Sequence, residues 1–165
     1  MLTCERLKEL IHYDPETGIF TWKVSKSGIV QSQAGWLKPD GYQRICIDRK
    51  THYAQILAWF YVTEEWPIRD IDHKNRKPGD NRFCNLRLAT ESQNMANARL
   101  SKKNKSGYKG VSWDLRCQKW RAQIQVNRKI IYIGLFATKE AAYAAYCVAA
   151  EKYYGEFAEG NRYAT

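Results

Sequence analysis

Between Ile71 and Asn94 the chain reads IDHKNRKPGDNRFCNLRLATESQN, and several residue types in that stretch could do chemistry. Asp72 stands directly before His73, Asn85 follows His73 by twelve positions, and Asn94 lies nine further on. An imidazole titrates near neutrality, so it can take or give a proton under ordinary conditions. Carboxylate and carboxamide groups offer the hard oxygen donors that suit Mg2+ or Mn2+ rather than zinc. If Asp72 and His73 sit in a strand, they point to opposite faces, so a metal and a base could flank one reacting group. The pair alone is weak evidence, because a single histidine is more often structural than catalytic.

The elements that must position these residues can be read from the pattern. A short segment around Ile71 precedes a loop containing Pro78-Gly79-Asp80, and NLRL at 85–88 reads as a second short strand. ATESQNMANARL at 89–100 reads as a helix, with Thr90 and Gln93 placed to form a capping box at its start. The order is strand, loop, strand, helix. Upstream, residues 1–66 read as a short helix followed by strands. YDPETGIFTW at 13–22 has a turn from Asp14-Pro15 to Gly18, then an apolar alternation at Phe20 and Trp22. Residues 41–62 predict a hairpin turning near Asp48–Lys50 and running into a short apolar helix.

Downstream, RLSKKNKSG at 99–107 reads as a basic linker with little to bury. Strands are predicted at 108–113, 119–126 and 129–134, with a tight turn at Asn127-Arg128. In the second strand Trp120, Ala122, Ile124 and Val126 share one face, and Lys119, Arg121, Gln123 and Gln125 the other. A helix follows, with Thr138 as N-cap and Gly155 as its stop; its alanines would let it lie close to the apolar sheet face.

Charge narrows the class of partner. The net charge is +10, with a pI near 9.4. Residues 99–135 hold ten Lys/Arg against the single acid Asp114, so almost all of the excess is local. A concentration of that kind is the footprint of a polyanion-binding surface. Arg121, Gln123 and Gln125 add side chains able to read guanine and adenine edges in the major groove of double-stranded DNA. A solvated sheet face is the plain alternative. The five cysteines, Cys4, Cys46, Cys84, Cys117 and Cys147, are scattered without a CxxC pair, which argues against a cysteine zinc site. No apolar run approaches membrane-spanning length, so the expectation is a soluble, intracellular protein with reduced thiols and no membrane partner.

The Asp72-His73, Asn85 and Asn94 pattern resembles the HNH nuclease motif in its His-Asn-Asn form, familiar from phage homing endonucleases. That resemblance implies a ββα-metal hairpin and helix acting on phosphodiesters. His73 would deprotonate the attacking water. Asp72 and Asn94 would bind a divalent cation, Mg2+ or Mn2+. Asn85 would hold the loop and the imidazole. Asn97, one turn beyond Asn94 on nearly the same helix face, is a competing ligand. Arg82 and Arg87 could brace phosphate or lie at the surface. YDPETGIFTW, GYQRICID and ILAWFYVTEEWP resemble the N-terminal part of the same phage enzymes. Two departures stand out: Gln55-Ile56 where that family usually has His-Arg, and Glu64 where it usually has glycine.

Residues 108–157 resemble the APETALA2-type DNA-binding domain in YKGVSW, KWRAQIQV, YIGLF and EAAYAAYCVAAEKYYG. The resemblance implies a three-stranded sheet entering the major groove, with contacts at Lys109, Ser112, Gln123, Gln125 and Tyr132; the alternation adds Arg121. Ser112, Gln125 and Asp114 stand where plant relatives have arginine, so the plant target sequence does not carry over. Trp120 falls on the core face, while Trp113 could pack at the sheet edge or touch the DNA backbone.

The expected fold class is α+β: a ββα-metal nuclease core with an N-terminal β-rich extension, plus a three-stranded antiparallel sheet packed on one helix. The expected domains are a nuclease at 1–98 (motif 70–98), the linker at 99–107 and the DNA-binding domain at 108–165. The expected function is a site-specific, homing-type endonuclease, phage-encoded and acting in the bacterial cytoplasm. It would be a monomer or homodimer with no obligate protein partner evident. One active site per chain implies nicking. The alternatives are a DNA-binding regulator on an inactive nuclease fold, an RNA-directed protein, for which the RRM aromatic signature is absent, and a structural scaffold.

Overall fold

The structure is a computed structural model that describes residues 2–24, 32–98, 100–101 and 103–161. It is α+β, as the sequence predicts, and forms two compact units, Met1–Leu88 and Ala89–Thr165.

In the first unit, Thr3 caps α1 (Cys4–Leu10) by accepting from the Arg6 amide. The chain then forms the antiparallel hairpin of β1 (Ile11–Asp14) and β2 (Ile19–Trp22), with Tyr13 opposite Phe20. The Asp14 carboxylate closes the turn by accepting from the Glu16 amide and the Thr17 hydroxyl. A second sheet has the order β3 (Trp36–Leu37), β4 (Gln43–Ile47), β5 (Lys50–Tyr53). Asp48 and Arg49 both have positive φ, 46° and 65°, which gives the β4–β5 hairpin the twist-compatible turn expected there. Helix α2 (Ala54–Thr63) follows, and Glu64 ends it in the left-handed region at φ 62°. The glycine usual at this position therefore has a backbone reason. Leu7, Ile11, Tyr13, Phe20, Ile45 and Leu57 are wholly or almost wholly buried and form the core of the unit. Then come β6 (Asp70–His73) and β7 (Leu86–Ala89), which pair with each other across the loop between them.

The second unit begins at the last residue of β7 and continues into α3 (Glu91–Asn97). Both halves of the Thr90/Gln93 capping box are made. The helix is shorter than the twelve residues predicted. Ala96 of this helix is buried in one cluster with Ile124, Tyr146, Tyr154 and Phe157. The sheet has the order β10 (Lys129–Phe136), β9 (Lys119–Val126), β8 (Val111–Asp114), antiparallel throughout. Strand β8 starts later than predicted because Tyr108–Gly110 is held in a turn. Ser106 Oγ donates toward the Tyr108 and Val111 carbonyls, and Gly110 sits at φ 71° against the Tyr146 ring. Ser106 is itself buried, so the tether predicted at 99–107 is folded at this end; Arg99 and Lys102 lie outside the described residues. Asn127 and Arg128 form the predicted tight turn with φ 48° and 65°. Helix α4 (Lys139–Tyr154), capped by Thr138 and stopped at Gly155, lays Ala142, Tyr146 and Ala150 on the sheet face that carries Ala122 and Ile124.

Candidate functional site

In the first unit the site is built on β6 and the loop that leads to β7. Asp72 and His73 are 5% and 4% exposed. The Asp72 carboxylate accepts from Arg87 Nε at 2.9 Å across the β6–β7 pair. Arg87 is therefore a partner of the acid and not a surface residue. Burial pushes the His73 pKa below its ordinary value, against smaller opposing effects of Asn81, Asp72 and Asp80. A neutral imidazole is the form that can accept a proton.

The loop is tied by its own polar side chains. Asn85, in the 3-10 turn Phe83–Asn85, accepts from the Asn75 amide at 3.0 Å. It donates to Asn75 Oδ1 at 3.1 Å and to the Asp80 carbonyl at 2.8 Å. Asp80 accepts from Asn75 Nδ2 at 2.6 Å and from Arg82 Nη2 and Nε at 2.6 and 2.8 Å. The Arg82 hydrogen bonds are the main reason that Asp80 is held at a pKa of about 2. Arg82 is thus paired within the loop. Asn85 braces the loop, and Asn81 is a side chain at hydrogen-bond distance from the imidazole, its Oδ1 3.4 Å from His73 Nε2. Asn81 is 1% exposed. Neither Asn81, Asp80 nor Asn75 stood out in the sequence, where they are three polar residues in a polar loop. Only closure of the loop shows which of them turn inward.

Asn94 lies on α3 in the second unit and is half-buried, whereas Asn97 is 3% exposed. Of the two candidate oxygen donors on this helix, Asn94 is the more accessible. Carboxylate and carboxamide oxygens are donors of the kind that suit a hard divalent cation that keeps most of its water, as Mg2+ does. Among the described residues no three His, Cys, Asp or Glu side chains cluster so as to hold a metal. A cation at Asp72 would share that carboxylate with Arg87 or displace it.

On the sheet of the second unit, β8–β9 pairing sets Ser112 opposite Arg121, and β9–β10 pairing sets Gln123 opposite Tyr132. Paired residues share a face, so Ser112, Arg121, Gln123 and Tyr132 lie together with Gln125, away from buried Ala122 and Ile124. Tyr132 and Gln125 are exposed; Ser112, Arg121 and Gln123 are half-buried. Arg121 has Asp114 3.8 Å away, at the rim of this face. Trp113 packs edge-on against Trp120, with ring centroids 5.1 Å apart, at the sheet edge, and is 43% exposed.

Lys109 behaves differently from the rest of that set. Its ammonium donates to the Met95, Ala96 and Ala98 carbonyls at 2.8, 2.5 and 3.0 Å, closing the C-terminal end of α3. At the other end, the Asn127 amide donates to Ser92 Oγ at 3.0 Å and Arg128 pairs with Glu91 at 2.7 Å. A cavity of about 560 Å3 between these contacts is lined in part by Met95, Lys109, Gln123, Gln125 and Tyr146.

Comparison with known proteins follows the same division. Residues 52–96 match the HNH endonuclease family and residues 106–156 match the AP2 domain family. A phage relative, Protein 3.8 of Escherichia phage T7, is 37% identical over 59 residues, which is 36% of this chain and 49% of the relative. The chain thus spans about half the length of that relative. Among the described residues no helix is long and apolar enough to cross a membrane. The chain therefore carries a segment that matches the HNH endonuclease family followed by one that matches the AP2 domain family, in that order.

Proposed function

We propose that this protein is a metal-dependent, site-specific DNA endonuclease of the homing type that nicks double-stranded DNA. The observation that carries the reading is a buried His73, its pKa held below the ordinary value by burial, directly following buried Asp72 on a strand inside the matched nuclease segment. His73 takes the proton of the attacking water. Asp72 and Asn94 hold Mg2+ or Mn2+; the ion, when bound, polarises the phosphate and stabilises the leaving oxygen. Asn85 keeps the loop closed around the imidazole through Asn75 and the Asp80 carbonyl. Ser112, Arg121, Gln123, Gln125 and Tyr132 present the sheet face to the major groove. The sheet supplies address and affinity, and the nuclease supplies cleavage. The phage relative supports a phage-encoded protein working in a bacterial host.

One observation favours the regulator reading: Asp72 is neutralised by Arg87 within the chain. A nicking assay on supercoiled DNA, with and without Mg2+ or Mn2+, separates the two. Metal-dependent nicking should fall by about 100- to 10,000-fold in His73→Ala, with DNA affinity unchanged in a gel-shift titration. Binding without any cleavage of DNA that includes the flanks of the gene would favour the regulator, and full activity in His73→Ala would remove the base assignment.

A further inference from the structure

Family and packing divide this chain at different places. The match to the HNH endonuclease family runs to residue 96, whereas the second compact unit starts at Ala89. Helix α3, which carries Asn94, therefore falls in the nuclease segment by sequence and in the DNA-binding unit by packing. It has seven residues. A helix shorter than about 12 residues is marginal by itself in water, so its neighbours must hold it.

The DNA-binding unit supplies such neighbours at both ends. Near the start, Ser92 Oγ accepts from the Asn127 amide at 3.0 Å and lies 3.3 Å from Tyr154 OH. Tyr154 gives its one hydroxyl proton to the Gln125 carbonyl, so Ser92 is the donor to Tyr154. Further along, Ala96 is buried with Ile124 of β9 and with Tyr146 and Ala150 of α4. At the end, Lys109 donates to the Met95, Ala96 and Ala98 carbonyls. Last-turn carbonyls lack partners within a helix and carry the negative end of its dipole, and an ammonium answers both needs. The Ala98 amide donates in turn to the Asn94 carbonyl at 3.0 Å, and the Asn94 amide to the Thr90 carbonyl at 2.9 Å. The Asn94 backbone is thus bonded on one side to the cap residue and on the other to a residue that Lys109 holds. The turn that bears Lys109 is fixed as well. Asn104 Nδ2 donates to the Tyr108 carbonyl at 3.0 Å, and Asn104 Oδ1 accepts from the Gly107 amide at 2.8 Å.

We propose that Lys109 is a positioning residue for cleavage: by anchoring α3 within the DNA-binding unit it sets the place of Asn94, which makes that unit a working part of the nuclease and not only its address. The role of Asn94 rests on the nuclease reading; the anchoring of its helix does not.

The test uses the full chain. Native-state hydrogen exchange of the wild type, in denaturant below the unfolding transition, should show the α3 amides opening together with β9 and α4. Opening with the strands of the first unit instead overturns the proposal, whether or not any variant folds. Lys109→Met, free of DNA, should weaken Mn2+ binding by about 10-fold, read by electron paramagnetic resonance. Nicking at limiting Mg2+ should fall by a similar factor and recover at saturating Mg2+, with the Kd for DNA unchanged. Lys109→Arg, which keeps a charged donor near the carbonyls, should restore Mn2+ affinity. A Lys109→Met protein with wild-type Mn2+ affinity overturns the proposal, and so does one whose main loss is in DNA affinity. A wild type that binds no Mn2+ and cuts no DNA, while Lys109→Met still speeds exchange in α3, refutes the nuclease reading and supports the anchor.

Discussion

Replacing Asp80 by Asn tests whether the loop that carries Asn81 and Asn85 is held by charge. The Asp80 side chain is 17% exposed and accepts from Asn75 and twice from Arg82, and these contacts bring its pKa from 3.8 to about 2. A depression of that size corresponds to about 2 kcal/mol of stabilisation. The Arg82 side chain is 47% exposed, so solvent screens part of it, and about 1–2 kcal/mol is the expected loss in Asp80→Asn. The folded pKa lies below the unfolded one. The contribution is therefore complete above about pH 4 and is lost as pH falls through about 2. Urea denaturation of wild type and variant, followed by tryptophan fluorescence from neutral pH down to about pH 2, measures the gap. It should be full near neutrality and close in the acid range. Equal stabilities at neutral pH, or a gap that persists unchanged in acid, would refute the argument that the carboxylate holds the loop.

Two further outcomes follow from backbone and capping geometry. Glu64→Gly removes a non-glycine residue from φ 62° but also removes the exposed Lys8–Glu64 ion pair. Relief of the left-handed strain, about 1 kcal/mol, should at least match an exposed pair worth about 0–1 kcal/mol, so thermal unfolding should show a variant as stable as wild type or slightly more so; a clear loss would refute it. Lys109→Met should reduce hydrogen-exchange protection near the end of α3 and destabilise the second unit by about 1–2 kcal/mol, because three carbonyls lose a charged donor. The dependence of DNA affinity on salt should stay the same; a slope smaller by about one would return Lys109 to the phosphates.

The sequence by itself determined the elements whose local chemistry is unambiguous. The Thr90/Gln93 capping box, the Asn127-Arg128 turn, the alternation in β9 and the Thr138 and Gly155 boundaries are all present as read. Each depends on neighbours within a few positions or on a strict period, so little is left for the tertiary fold to override. The α+β class follows from the same signals, and the spacing of Asp72, His73, Asn85 and Asn94 pointed to the HNH segment that the family comparison matches.

What only the tertiary structure decided are the partners of long polar side chains. Lys109 reads as a DNA contact of the sheet domain, yet its flexible stem carries the ammonium to the carbonyl end of α3. Arg87 reads as a surface or phosphate residue, yet the β6–β7 pairing sets it on Asp72. Asn81 and Gln43 are 38 positions apart, and their hydrogen bond exists only because loop and sheet meet. Hydrophobic period and cap residues are written locally. The direction of a buried amide is fixed by whichever donor or acceptor the folded chain brings opposite it, and in this protein Gln43 is set between the Ala34 carbonyl and Asn81.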